Sequence, residues 1–361
     1  MSKKPRSKKD FSKGEGLQPL EPVDISGIDD FDQALAAMEK TSFGGRQLGE
    51  AASILTEMFT DPEDLTVLTL SGAMTVAKQG LLICELLERK YVDIVVSTGA
   101  LITHGLIEGI DKNHYKVPDM PDDQLLSKGM CRVYDTIELE TSFERLQNLI
   151  GEYVDRLFSP DNGTTIGSAV FLRNLGELVA EQFPDSRSIV SAACKSDIPI
   201  YVPAFTDSEL SLELMIKTFK NNRKFSDAPF TETVIPEFNP FNDLFDFASR
   251  VHRHKGKMSI FTIGGGVPRN WAQQISPLFD IMNLDGMPVD PKQYSRGVRI
   301  CPEPDHWGGL SGCSYEEGVS WAKFLPVSEG GKYAEVKVDA TAVLPFLIKG
   351  IVQRIEKSKK P

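Results

Sequence analysis

No stretch of this 361-residue chain reaches the roughly 18 uncharged apolar residues of a membrane-crossing helix, so none is expected. The five cysteines, Cys84, Cys131, Cys194, Cys301 and Cys313, are scattered, and no two form a CxxC pair. An odd, dispersed set points to reduced thiols and the cytoplasm rather than to a disulfide framework. Histidine is equally scarce, at five residues without ligand spacing. His252 and His254 lie close, but in a basic RVHRHKGK run that reads as a solvated helix end. No metal site is therefore expected. The basic start, MSKKPRSKKDFSKG, has no apolar segment behind it and does not read as a secretory signal. Neither GxGxxG nor GxxxxGK(S/T) occurs, which excludes the common dinucleotide fingerprint and the P-loop.

The rest of the composition belongs to a globular protein. Hydrophobic residues make up 41% and charged residues 25%, which sets aside collagen-like, mucin-like and disordered chains. A chain this long buries roughly three quarters of its unfolded surface and needs no disulfide or metal to hold a core. Net charge is −11; residues 1–14 carry six Lys/Arg and one Asp, so the body is more acidic than the total. Phosphate backbones need a basic surface, so no nucleic-acid partner is expected. An acidic body suits a cationic small molecule, such as a polyamine or diamine, or a basic protein.

Residues 1–27 lack hydrophobic periodicity and are rich in Lys, Ser, Gly and Pro, which predicts a mobile basic N-terminal arm. Residues 40–357 contain no linker that marks a boundary, and residues 28–361 read as one large domain. A short helix is predicted over 29–38. A longer one follows in SFGGRQLGEAASILTEMF, where Leu48, Ala51, Leu55 and Met58 recur at helical spacing. Strands are then predicted over 65–70, 92–96, 199–203, 258–263, 298–301 and 333–338. Helices are predicted over 76–89, 101–110, 142–158, 168–183, 208–219, 241–252, 315–324 and 341–357. This alternation predicts an α/β fold, a Rossmann-like and mostly parallel sheet with helices on both faces, preceded by an N-terminal helical arm.

Ligands of such folds bind beyond the carboxyl ends of the strands. That singles out SGAMT after LTVLTL, STGA after VDIVV, FTD after IYVPA, GGG after MSIFTI and DATA after YAEVKV. The glycines of GGGVPRN (264–270) would let a backbone approach a ligand, and the helix they open would favour a phosphate. A tight strand–helix turn accounts for them equally. In YEEGVSWAKF (315–324), Glu317 and Trp321 stand four apart, on one face of a helix. A carboxylate beside an indole holds an alkylammonium ion by charge and cation–π attraction. A desolvated lysine there, Lys323, could form an imine. An ordinary amphipathic helix with Trp321 in the core and Lys323 snorkelling fits the same pattern. His104 falls on an apolar helical segment, either as a structural histidine or as a polar contact at the crevice mouth.

KTSFGGRQLGEA, TLSGAMT, VDIVVSTGA, PAFTD, IGGGVPRN, EEGVSWAK and VDATAVLPFL, in this order, resemble the deoxyhypusine synthase family over about residues 41–355. The resemblance implies a Rossmann-like subunit, a homotetramer of tight dimers with active sites at the dimer interface, and NAD as cofactor. It implies that NAD takes a hydride from a carbon beside the secondary amine of spermidine and that 1,3-diaminopropane leaves. The four-carbon fragment is held as an imine on a lysine until an acceptor amine displaces it and the hydride returns. The acceptor is a protein lysine in deoxyhypusine synthases and putrescine in homospermidine synthases.

Carried over residue by residue, Lys323 matches the imine-forming lysine. Glu317 and Trp321 match residues that hold the polyamine, and Asn270 and His104 stand at substrate-side positions. Met74, Thr75, Lys78, Thr98, Gly99, Ala100, Asp207, Gly265, Asp339 and Ala340 match NAD-contacting positions. The chain also departs from the family. Leu212 and Leu310 stand where it has amine-binding acids, Arg269 and Asn270 replace a Lys-His pair, His104 replaces a Glu, and Trp307 an NAD-contacting aspartate. Each lost charge-assisted contact removes about 1.5–3 kcal/mol, so the donor and the acceptor stay open. The resulting reading is a deoxyhypusine synthase-like, NAD-dependent aminoalkyl transferase. The alternatives are a homospermidine synthase-like enzyme acting on diamines and an NAD-binding regulatory protein without catalysis.

Overall fold

The structure is a computed structural model that describes residues 17–111, 114–157, 165–221 and 238–359. The chain runs α1 (Phe31–Glu39), α2 (Phe43–Thr60), β1 (Asp64–Leu70), α3 (Gly80–Glu88), β2 (Ile94–Ser97) and α4 (Gly99–Asp111). An insert follows: β3 (Tyr115–Lys116), α5 (Asp122–Ser127), β4 (Met130–Val133) and β5 (Thr136–Leu139). Then come α6 (Glu140–Leu157), α7 (Ser168–Gln182), α8 (Ile189–Ser196), β6 (Ile200–Tyr201), α9 (Glu209–Asn221) and α10 (Pro240–Arg253). The last part is β7 (Lys257–Ile263), α11 (Gly266–Gln273), α12 (Ile275–Leu284), β8 (Arg296–Ile300), α13 (Tyr315–Val319), β9 (Lys332–Val336) and α14 (Ala340–Ser358).

Six strands form one wholly parallel sheet in the order β6-β2-β1-β7-β8-β9. Counted along the chain within that sheet, this is the doubly wound order 3-2-1-4-5-6. Growth reverses between β1 and β7, which pair over their full length from Asp64↔Lys257 to Leu70↔Ile263. Both strands are buried on both faces, as a parallel sheet covered by helices requires. Alternation divides the core in two. Leu68, Leu70, Phe261 and Ile263 face the layer of α2 to α4 and α14, while Val67, Met258 and Ile260 pack with Phe247, Ala272 and Phe279 on the other side.

The N-terminal helices are tied to the end of the chain. Arg354 Nε donates to Asp32 Oδ1 at 2.7 Å, and the Phe31 N–H donates to Gln353 Oε1 at 3.1 Å. Residues 1–16 of the basic arm lie outside the described residues; residues 17–24 are exposed and without regular structure.

Three predicted elements are corrected. The helix expected from 76 begins at Gly80, because the chain first turns through Lys78 at φ 60°. The strand expected over 199–203 shrinks to Ile200–Tyr201, an edge strand flanked by prolines that have no N–H for a ladder. The helix expected over 315–324 stops at Val319: Ala322 is left-handed at φ 55°, and Phe324 folds back against Gly318. The antiparallel sheet β3-β5-β4 and helices α5, α8 and α12 are not among the predicted elements, whereas α11 is the helix that GGGVPRN was expected to open.

Candidate active site

The reversal between β1 and β7 opens a crevice at their carboxyl ends. Ser71 N–H donates to Ile263 O at 3.0 Å, and Gly265 N–H donates to Ser71 Oγ at 2.7 Å, so the two strand ends are locked together. Gly72 (φ 80°) and Gly266 (φ 67°) have nothing within 4 Å where a Cβ would stand. They leave the cradle floor open to a ligand, and a side chain at either position would be strained.

Beside this floor lies a cavity of about 580 Å³ lined by Gly72, Thr98, Ala100, His104, Asp207 and Glu209, among others. Thr98 Oγ1 accepts from Leu101 N–H at 3.3 Å. Thr75 is buried and donates to Leu101 O at 3.0 Å, and Met74 is buried beside it. Gly99 allows α4 to approach Ser208, since a Cβ there would stand 2.4 Å from Ser208 Cβ. Gly99→Val is therefore expected to destabilise the fold by about 1–3 kcal/mol, read by urea unfolding, with partial recovery in Gly99→Val/Ser208→Gly.

Lys323 forms a second centre. It is buried, and its Nζ donates to Asn270 Oδ1 at 3.1 Å, joining the turn after α13 to α11. Burial pushes its pKa down and the buried Arg269 guanidinium adds to this, against Cys313 and Glu317, which push it up. The uncharged amine is thereby favoured. Arg269 is 1% exposed, stands 5.7 Å over the Tyr315 ring, and leaves Nε and Nη2 without a partner. Its pKa too is lowered, chiefly by burial. Arg299 braces the approach to α13. It donates to the carbonyls of Ser311 and Cys313 and to Glu335 Oε2 at 2.7 Å, and Glu335 in turn accepts from Tyr315 N–H at 2.9 Å.

The sequence-derived residues fall into these two groups. Thr98, Ala100, Asp207 and His104 line the cavity, with Met74, Thr75 and Gly99 packed behind it. Lys78 is exposed and pairs with Glu108. Lys323, Asn270 and Glu317 cluster together. Trp321 is 64% exposed, which overturns its placement in a core and, with α13 ending at Val319, the shared helical face with Glu317. Gly265 packs so tightly on Ser311 that no side chain fits. Asp339 caps α14, accepting from Thr341 N–H at 2.8 Å, and Ala340 starts that helix. No residue lining the cavity belongs to the Lys323 cluster. Of the departures, Leu212 lines the cavity, while Leu310 and Trp307 are exposed. Sequence reasoning missed Glu209, one turn before Leu212 on α9, whose Oε2 is buried without a partner. It also missed Glu138 on the insert, which meets His104.

The strand order, the crevice and the buried lysine define a doubly wound α/β protein of the Rossmann type. Its family follows from comparison with known proteins. The family model for deoxyhypusine synthase matches residues 33–351, and the chain belongs to that family, which implies a transferase. "Probable deoxyhypusine synthase 2" of Archaeoglobus fulgidus is 32% identical over 327 residues, covering 90% of this chain and 98% of the relative. The protein of the same name from Methanosarcina acetivorans is 28% identical, covering 95% and 92%. A "Deoxyhypusine synthase-like protein" of Chlorobaculum parvum is 28% identical, covering 86% and 83%. A solved structure, of a candidate deoxyhypusine synthase from Entamoeba histolytica, shares the fold with a TM-score of 0.56 at 14% identity, covering 92% of this chain and 96% of that one. Among the described residues, no helix is long and apolar enough to cross a membrane.

Proposed function

We propose that this protein is an NAD-dependent transferase that moves an aminoalkyl group from a polyamine or diamine donor, through an imine on Lys323, to an acceptor amine. The observation that carries the reading is Lys323 itself, a buried amine held by Asn270 with its pKa lowered, inside the EEGVSWAK segment. Such an amine is nucleophilic nearer neutral pH than an exposed lysine. The open positions at Gly72 and Gly266 fit a dinucleotide, with Thr98, Gly99, Ala100 and Asp207 as the residues that would hold it. Bound there, NAD would supply the hydride acceptor that makes a donor carbon electrophilic and would give the hydride back once the acceptor amine has displaced Lys323.

The chain's own residues do the rest. Glu209 offers a carboxylate to a cationic amine, and Glu317 offers another beside Lys323. Asn270 Oδ1 fixes the amine's direction. The Lys323 nitrogen adds to the electrophilic carbon, the other half of the donor leaves as a free amine, and the acceptor later displaces Lys323 in the same sense. A homotetramer in the cytoplasm is part of this proposal, because subunit contact would bring the cavity and the lysine centre of two chains together. Leu212 in the cavity wall favours small amines with fewer charges, which supports the homospermidine synthase-like variant as the second reading.

The test is borohydride reduction of the protein incubated with NAD and, separately, spermidine, putrescine or agmatine. One amine is expected to leave a mass increment on the Lys323 peptide. Mass spectrometry of the products then separates a protein acceptor from a free polyamine. NAD binding without an increment from any of the amines would overturn the reading in favour of an NAD-binding regulatory protein.

A further inference from the structure

His104 on α4, His114 just before β3 and Glu138 on β5 converge in space although their spacing in the chain matches no ligand motif. We infer that they form a binding site for one divalent transition-metal ion of the zinc class. Each residue offers one donor atom, and the three atoms lie within 4.8 Å of one another. Glu138 is 1% exposed, with one oxygen 2.6 Å from His104 Nδ1 and the other 2.6 Å from His114 Nε2. These contacts are short, yet none of the four atoms makes an aligned hydrogen bond. A simple ion pair between protonated imidazoles and the carboxylate would point each N–H at an oxygen. Here the donors are close and out of line with one another, as ligands are when they share a cation.

The surroundings match a metal centre. His114 Nδ1 lies 2.7 Å from Glu108 Oε2, and Glu108 also pairs with Lys78. A carboxylate on the far nitrogen of a ligating histidine fixes its tautomer and raises its basicity. Two imidazoles and one carboxylate suit zinc, cobalt, nickel or iron better than magnesium or calcium. Zinc bonds of about 2.0–2.2 Å in tetrahedral array would set the donors a little over 3 Å apart, so each contact needs to open by less than about 1 Å. Three protein ligands leave a coordination position open. His104 also lines the strand-end cavity, so the ion would sit in the wall of that site. The inserted antiparallel sheet gains a purpose: β5 carries the central carboxylate.

The test uses the tag-free full chain, stripped by chelator dialysis and titrated with Co²⁺, then with Zn²⁺ as competitor. Ligand-field absorption and metal content after desalting are the readouts, and neither depends on transferase activity. One ion per chain is expected. Glu138→Gln and His114→Ala are expected to weaken binding by about 100-fold or more, and Glu108→Gln by roughly 10-fold. His306→Ala, at an exposed histidine elsewhere, is expected to bind as the parent does. Circular dichroism checks folding, and His104→Ala, at the cavity rim, replaces Glu138→Gln if that variant does not fold. No retained metal in the parent chain, or unchanged affinity in the folded ligand variants, would overturn the inference.

Discussion

Lys323→Ala is expected to stop turnover while leaving the fold and NAD affinity unchanged. Loss of a nucleophile removes roughly 10³-fold or more of rate, because no neighbouring group takes over its covalent role. Lys323→Arg is expected to be equally inactive, since a guanidinium keeps the charge but does not form the imine. These variants separate nucleophilic function from simple charge placement. The pH profile carries a second signature. Burial and Arg269 lower the Lys323 pKa, so the rising limb of turnover set by the free amine should lie below the 10.5 of an ordinary lysine. Removing the buried cation in Arg269→Met should move that limb to higher pH, because the protonated amine then loses a repulsive neighbour. Measurable turnover in Lys323→Ala, with the parent's product, would eliminate the imine route.

Arg299→Met is expected to be strongly destabilising. Arg299 is 1% exposed and holds two backbone carbonyls together with Glu335 and Asp305. Its loss leaves the Glu335 carboxylate and the carbonyls of Ser311 and Cys313 without their main donor. Breaking such a buried pair on one side costs about 3–5 kcal/mol. At roughly 2 °C of melting temperature per kcal/mol for a chain of this size, a drop of about 6–10 °C should appear by calorimetry. Glu335→Leu in the same background should restore part of the loss, since the unpaired carboxylate is then gone. Because Arg299 also braces the segment leading into α13, the borohydride adduct on Lys323 should fall in parallel. A melting temperature within 1–2 °C of the parent, about the effect of an ordinary surface substitution, would show that the network is dispensable.

The parallel sheet was legible because its strands are buried on both faces. LTVLTL, VDIVV and MSIFTI are mostly apolar runs interrupted only by threonines, Asp93 and Ser259, and they became β1, β2 and β7 within two residues of their predicted bounds. The long helices were legible for the matching reason: α2, α7 and α14 each present a periodic apolar face to the core. The SWAK segment was misread because its apolar spacing suits a helix, whereas Gly318 allows Phe324 to fold back over it. That reversal leaves Trp321 at the surface while Lys323 is buried.

Family membership, the position of Lys323 and the small residues at the strand ends are therefore written in local sequence. Each depends on a continuous segment whose chemistry and period can be read in place. Which of those strand ends meet is a different matter. The 3-2-1-4-5-6 order sets β1 against β7, although 186 residues separate Leu70 from Lys257. The same folding brings His104, His114 and Glu138 to one buried point and leaves Asp207 and Glu209 facing one cavity. Local sequence determined most of the elements and the place of Lys323. Tertiary structure decided the neighbours, because burial, desolvation and donor convergence arise only when distant segments exclude water from the same place.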